Sequence, residues 1–382
     1  MKKIYLDHAA TTPIAKEVME AMQLYFGQKF GNASSVHALG REAREAIDDS
    51  REIIARKLNA KNHTVIFTSG GTESNNFTIK GVAFANRKKG KHIITSKIEH
   101  ECVLNSCRWL EKQGFEITYL PVDKEGFVDL DELEKAIRKD TILVSIIHAN
   151  NEIGTIEPIE EIGKICSEHG IYFHTDACQS FTKVPINLKK QKIDLLTINA
   201  HKIYGPKGIG ALVIRGGVKI DPLLHGGGHE FGFRSGTENV PGIVGFAKAV
   251  EIAKEKDVEH MKKLRDILIK GAFEIEDSRL NGSRERRLCN NANFSFKYVE
   301  GESLVLHLDM KGIEASTGSA CSSRSLEPSH VLLNIGLTPE DAHGSIRLSV
   351  GRENTKDEMK YTIEVLKESV DILRKISPFG KK

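Results

Sequence analysis

Between Phe67 and Ile214 short β-prone runs alternate with amphipathic segments, and this alternation narrows the folds open to the chain more than any other feature. Strands are predicted at Phe67–Thr68, His92–Ser96, Phe115–Pro121, Ile142–Ile147, Ile171–Thr175, Asp194–Ile198 and Ala211–Ile214. Helices are predicted among them at Asn76–Ala85, from Ile98-Glu99-His100 onward, at Leu130–Ile137 and at Ile159–His169, after two earlier ones at Ala15–Phe26 and Arg41–Leu58. Repeated strand–helix units of this kind build a mostly parallel sheet with helices on both faces. Ligands of such sheets gather beyond the carboxyl ends of the strands, where Thr72, Asn151, Asp176 and Lys202 are expected to fall.

The 382 residues are enough for a large core and two domains, and a chain 40% apolar and 28% charged fits a soluble globular protein. No apolar run approaches membrane-spanning length, and Asp7, His8 and Thr11 interrupt any signal-peptide core after Lys2 and Lys3. The expected location is the cytoplasm. A formal charge of +3 does not imply nucleic acid or an acidic membrane as a partner. The basic runs at Arg87–Lys91 and Arg284–Arg287 read as solvated surface, with docking of an acidic partner as the other reading. Six scattered cysteines lack the paired spacing of a structural metal site and fit free thiols in a reducing compartment. His174, Asp176 and Cys178 are no convincing metal cluster either, because alternate side chains of a strand leave on opposite faces.

Three stretches carry chemistry. Asp194–Leu212 delivers His201-Lys202 into a turn punctuated by Gly205, Pro206, Gly208 and Gly210. Lysine, unlike arginine, can lose a proton and condense with an aldehyde, although a lysine in a Gly-rich loop can also simply be solvated. Tyr172–Gln179 is a β-prone run that reaches an acid at Asp176. Phe67-Thr68-Ser69-Gly70-Gly71-Thr72-Glu73 passes from a strand through two glycines into a helix, a geometry suited to a phosphate, yet no Gly-Lys-Ser or Gly-Lys-Thr follows to make a Walker loop. No Gly-x-Gly-x-x-Gly turn supports a nicotinamide site. An anion cradle, an acid at a strand end and a loop lysine are the parts a pyridoxal-phosphate enzyme needs.

Together with Tyr5–Pro13, Gly226–Glu230, Arg234–Asn239, Thr317–Cys321 and Ser345–Arg352, these stretches resemble a cysteine desulfurase of the class-V aminotransferase family over nearly the whole chain. The resemblance is to the iron-sulfur-assembly type, in which a longer mobile loop carries the reactive cysteine. It implies the α/β fold of pyridoxal-phosphate fold type I, aspartate-aminotransferase-like, with a mostly parallel seven-stranded sheet in a large domain and a smaller α+β domain. The expected division is an N-terminal arm at 1–14 associated with the small domain, a large cofactor-binding domain at 15–250 and a small domain at 251–382.

The resemblance also implies residue roles. Lys202 is the lysine that bonds the cofactor, Asp176 faces the pyridine nitrogen and Gln179 the ring oxygen, while Asn151 joins the cofactor contacts. Gly71, Thr72, His201 and Asn199 hold the phosphate, Asn199 standing where the family usually has a serine; Thr237 reaches the phosphate from a neighbouring subunit, so a homodimer is expected. His100 lies over the cofactor ring, although it can equally cap or pack its helix. Asn32 and Arg347 hold the substrate carboxylate, with capping of the next helix as the alternative for Asn32. Cys321, in a Gly- and Ser-rich loop, takes the sulfur, whereas Cys102 reads as buried filling. The implied activity is conversion of L-cysteine to L-alanine with a persulfide left on the enzyme, for an iron-sulfur scaffold protein or another acceptor. The alternatives are selenocysteine lyase, or sulfur donation mainly to transfer-RNA thiolation.

Overall fold

The computed structural model describes residues 3–318 and 328–377. The chain runs β1 (Ile4–Tyr5), α1 (Lys16–Gly27), α2 (Ala38–Lys57), β2 (His63–Thr68), α3 (Gly71–Asn86), β3 (His92–Ser96), α4 (Glu101–Glu111), β4 (Glu116–Leu120), α5 (Leu130–Ala136), β5 (Thr141–Ser145), α6 (Ile159–Glu168), β6 (Tyr172–Asp176), β7 (Leu195–Asn199) and β8 (Gly210–Arg215). It continues through α7 (Val240–Ile252), α8 (Glu255–Ala272), β9 (Ser278–Leu280), β10 (Asn291–Phe296), α9 (Gly301–Met310), β11 (Ile313–Glu314), α10 (His330–Asn334), α11 (Pro339–His343), β12 (Ser345–Ser349) and α12 (Lys356–Ile376).

Seven strands form one sheet in the order β2-β8-β7-β6-β5-β3-β4. Only β8 runs antiparallel to its neighbours β2 and β7. The architecture is the expected α/β one with a mostly parallel seven-stranded sheet. Every residue of β3, β5 and β7 is buried, as it must be when helices cover both faces. Period-two alternation sorts the side chains: Phe67, Ile94, Val144, Leu196 and Val213 join a core with Ile47 and Ile54 of α2 and Phe246 of α7. Their chain neighbours Ile66, Ile93, Leu143, Leu195 and Leu212 join the opposite core, with Phe77 of α3 and Leu110 of α4.

A second, antiparallel sheet has the order β12-β10-β9, and β1 pairs in parallel with β11. Ile4 and Leu6 pack with Leu264 and Leu268 of α8, Phe294 and Phe296 of β10 and Leu366 of α12. Adjacent helices α7 and α8 therefore belong to different cores, with Ala253 and Lys254 between them.

Local signals set the helix ends. Thr355 and Glu358 make a reciprocal capping box at the start of α12. His37, not Asn32, caps α2 by accepting from Gly40 N, so the capping alternative for Asn32 fails; its side chain closes the preceding turn instead, accepting from Ser34 N at 2.8 Å. Strand β11 stops at Glu314, and Ser316 forms an isolated bridge with Arg347.

Candidate active site

A cavity of about 290 Å³ opens where the parallel strands end. Its wall takes Gly71 and Thr72 from the turn after β2, His100 after β3, Asn151 after β5, Asp176 and Gln179 at the end of β6, and Asn199, His201 and Lys202 at the end of β7. Arg347 enters from β12 of the other sheet. Ten residues singled out from sequence thus meet in one place.

The turn into α3 has the form an anion requires. Gly70 has φ 152°, outside the range L side chains favour, and α3 carries no side-chain N-cap, so its first N–H groups are not claimed by one. A Cβ on Gly71 would lie 2.6 Å from Cys178 Sγ, so glycine lets the helix start settle on the turn that follows Asp176 without displacing that thiol. Asn199 lies beside it, its Nδ2 3.7 Å from that Cβ position and its buried Oδ1 without a partner among the described residues. His201 Nδ1 lies 3.2 Å from Thr11 Oγ1, and burial, helped by the charges of Lys202, Lys207 and Lys183, pushes its pKa down to about 4. The imidazole is therefore neutral at physiological pH.

Asp176 is buried, which opposes its charge, but hydrogen bonds outweigh that cost. Its Oδ1 accepts from Cys178 N at 2.9 Å and its Oδ2 from Asn75 Nδ2 at 2.7 Å, holding the carboxyl below its usual range. His100 caps α4, its Nδ1 accepting from Cys102 N at 3.1 Å, and it also lines the cavity. Burial, then the charge of Lys202, lowers its pKa, and an accepting Nδ1 puts the proton of the neutral ring on Nε2.

Lys202 sits on a tight turn in which Ile203 N and Gly205 N both donate to Ala200 O. Beneath it Lys183, half-buried, donates from Nζ to Gln179 O at 3.0 Å and Lys202 O at 3.2 Å, tying together the loops after β6 and β7. Burial lowers the Lys183 ammonium to about 8. The side chain of Gln179 is held by Ala9 O, which accepts from its Nε2 at 2.9 Å.

Arg347 is 3% exposed. Nη1 donates to Asn151 O at 2.9 Å and Gly318 O at 3.1 Å, and Nη2 pairs with Asp7 Oδ1 at 2.9 Å. Nε is buried without a partner among the described residues, which leaves it as the open donor for a carboxylate. The guanidinium expected to hold the substrate carboxylate is thus already partly engaged by the protein.

Two predicted residues lie outside this cavity. Asn32 is exposed on its turn, and Thr237 is exposed in a separate surface cleft shared with Ser69, Gly208 and Arg234. Cys321 lies outside the described residues, although Gly318 before it and His330 after it both line the cavity. Sequence reasoning missed Asn75, Lys183 and Glu152. An Asn inside a helix and a Lys near a turn carry no signal of burial; Glu152, buried and holding Ser329 Oγ at 2.5 Å, stood in the polar turn His148–Gly154 and was the most readable of the three.

A loop lysine, a buried anionic carboxylate and an uncapped helix start converge as pyridoxal phosphate requires, and a model of the class-V aminotransferase family matches residues 4–361. The chain belongs to that family. Among its relatives, the cysteine desulfurase IscS of Dictyoglomus turgidum is 60% identical over 382 residues, covering 99% of this chain and 97% of its own. The cysteine desulfurase IscS of Methanosarcina thermophila is 57% identical over 384 residues, covering 100% and 95%. These matches put the chain among the family's cysteine desulfurases, which depend on pyridoxal phosphate. A solved NifS-like protein superposes with a TM-score of 0.90 at 39% identity, covering 97% of this chain and all of its own. SspA in complex with cysteine gives 0.83 at 40%, covering 92% and 100%. Among the described residues no helix is long and apolar enough to cross a membrane.

Proposed function

We infer that the chain converts L-cysteine to L-alanine and retains the sulfur as a persulfide on Cys321. The observation that carries this reading is the convergence of Lys202, Asp176, the open start of α3 and the unpartnered Nε of Arg347 on one cavity, whose wall also holds Gly318 and His330 on either side of the Cys321 segment.

Pyridoxal phosphate, held at its phosphate by Thr72, Asn199, His201 and the N–H groups of Gly71, and at its ring nitrogen by Asp176, supplies the electron sink that loosens the α-proton and then the carbon–sulfur bond. Lys202 would be the residue that holds the cofactor covalently, and its free amine is the base placed to take the α-proton of the substrate. His100, neutral with its proton on Nε2, moves protons between cavity and substrate. Arg347 orients the substrate through its carboxylate, with Asn32 as a second contact, and Asn151 and Gln179 would hold the cofactor ring, Gln179 at its ring oxygen. The Cys321 thiolate attacks the substrate sulfur; the sulfur stays on Cys321, and the carbon fragment regains protons to leave as alanine.

The active unit is a homodimer in which Thr237 of one copy completes the phosphate site of the other. Exposed Phe26, Phe30, Val36 and Phe231 give a second copy apolar surface to cover. The sulfur passes to an iron-sulfur scaffold protein, with transfer-RNA thiolation as the second route. Five unbridged cysteines among the described residues fit the cytoplasm.

Intact-mass and peptide mass spectrometry after brief L-cysteine turnover, with alanine quantified in the same sample, tests the reading. Wild type is expected to yield alanine and one added sulfur on Cys321, and Cys321→Ser to keep the cofactor without sulfur transfer. Sulfur mapped to Cys102 or Cys178 would remove Cys321 from its role. A strong preference for L-selenocysteine would turn the reading to selenocysteine lyase.

A further inference from the structure

We propose that Asn75 is a positioning residue for the cofactor: its side-chain amide fixes Asp176 as the anionic partner of the ring nitrogen. This rests on the reading that Asp176 faces that nitrogen. Asn75 is 1% exposed and stands one helical turn beyond Thr72, so both project from the same face of α3 into the cavity. Its Nδ2 donates to Asp176 Oδ2 at 2.7 Å and to Cys102 Sγ at 3.2 Å. An ionised carboxylate only accepts, so the amide cannot turn over without setting Oδ1 against Asp176.

Asp176 needs this donor. Burial alone would drive it to the neutral acid, and a neutral acid cannot hold a proton on a pyridine nitrogen. The donor at 2.9 Å on its other oxygen is the backbone N–H of Cys178, with the Cys178 thiol adding a weaker one. Around it stand His100 and Lys202, whose charge is of the helpful sign or absent, and Glu99, Cys102 and Cys178, all lifted toward their neutral forms by burial. Asn75 is thus a strong neutral donor that mutation can remove without touching the main chain. Because Gly71 seats the start of α3 against Cys178, one rigid helix presents its open end to the phosphate and Asn75 to the carboxylate. Both ends of the cofactor take their register from that helix.

The test is to reconstitute wild type, Asn75→Leu and Asn75→Ser with pyridoxal phosphate labelled with nitrogen-15 in the ring, and to follow the nitrogen resonance and the cofactor dissociation constant with pH. Wild type should keep the resonance of a protonated ring through neutral pH. In Asn75→Leu, loss of one hydrogen bond to a charged group should shift the proton balance between the ring nitrogen and Asp176 toward the carboxyl by roughly 10- to 150-fold and move the resonance toward neutral pyridine. Asn75→Ser, smaller and with a shorter donor, should fall between and serves if the leucine variant does not fold. Weaker cofactor binding with an unmoved resonance would mean that Asn75 merely supports α3, and would overturn the proposal. A neutral ring nitrogen already in wild type would instead overturn the placement of Asp176.

Discussion

Replacing Arg347 by lysine keeps a positive charge in the cavity and removes the fork, which isolates what guanidinium geometry contributes. Three of its donor bonds are spent on Asp7, Asn151 O and Gly318 O, so the substrate carboxylate depends chiefly on the buried Nε and a share of Nη2. Loss of that charge-assisted contact corresponds to about 2–3 kcal/mol, or roughly a 30- to 150-fold weaker dissociation constant for L-cysteine. Binding can be read without turnover in a Cys321→Ser background, from the change in the cofactor absorption band. Cysteamine, the same molecule without its carboxylate, is the control: its affinity should change by less than about threefold. Equal losses for both ligands would mean that Arg347 acts by holding the walls at Asn151 and Gly318, and no loss for either would remove it from substrate binding; each result refutes the reasoning.

Two other outcomes are expected. Burial lifts the Glu99 carboxyl to about 8, so the folded chain keeps a proton that the unfolded chain releases near 4.5, and the stability from this group is lost as pH rises through that window. Glu99→Gln holds the neutral form while its Oε1 can still accept from Ser96 Oγ and Ile147 N, so its advantage in urea midpoint over wild type should grow from pH 4.5 to 8; a difference independent of pH would contradict this. Mixed dimers of Lys202→Ala and Thr237→Ala chains should regain activity at the one site that carries neither defect, and a fully active wild-type monomer would exclude the shared site.

Where a β-prone run was sharply bounded, the sequence was legible: β3 begins and ends at His92 and Ser96, the residues its pattern predicts. Strand β9 has three residues and α10 and α11 five each, too short for any period to show, and they hold their shape through tertiary contacts. Lys202 and Asp176 were readable because their chemistry is unusual in a Gly-rich turn or at a strand end, whereas Arg347 was reached only through the family resemblance. Cys102, read as buried filling, does pack half-buried against the core of Phe77 and Leu110, and its place near the start of α4 also brings it to the cavity wall, which spacing along the chain does not show. Lys183 was passed over for a related reason: two hydrogen bonds to carbonyls compensate the burial of its ammonium, and neither can be foreseen from neighbours in the chain.

The place of β8 has a consequence for the order of events during synthesis. In the large sheet β2 has no neighbour except β8, and a Cβ on Gly210 would lie 2.8 Å from Gly70 Cα, so the phosphate turn and the lysine hairpin are two sides of one junction. On a ribosome the strand at His63–Thr68 waits, unpaired along both edges, until Gly210–Arg215 has emerged to fill the gap beside β7. Nascent chains arrested before that point should be unable to retain pyridoxal phosphate, however well their earlier strands and helices have condensed.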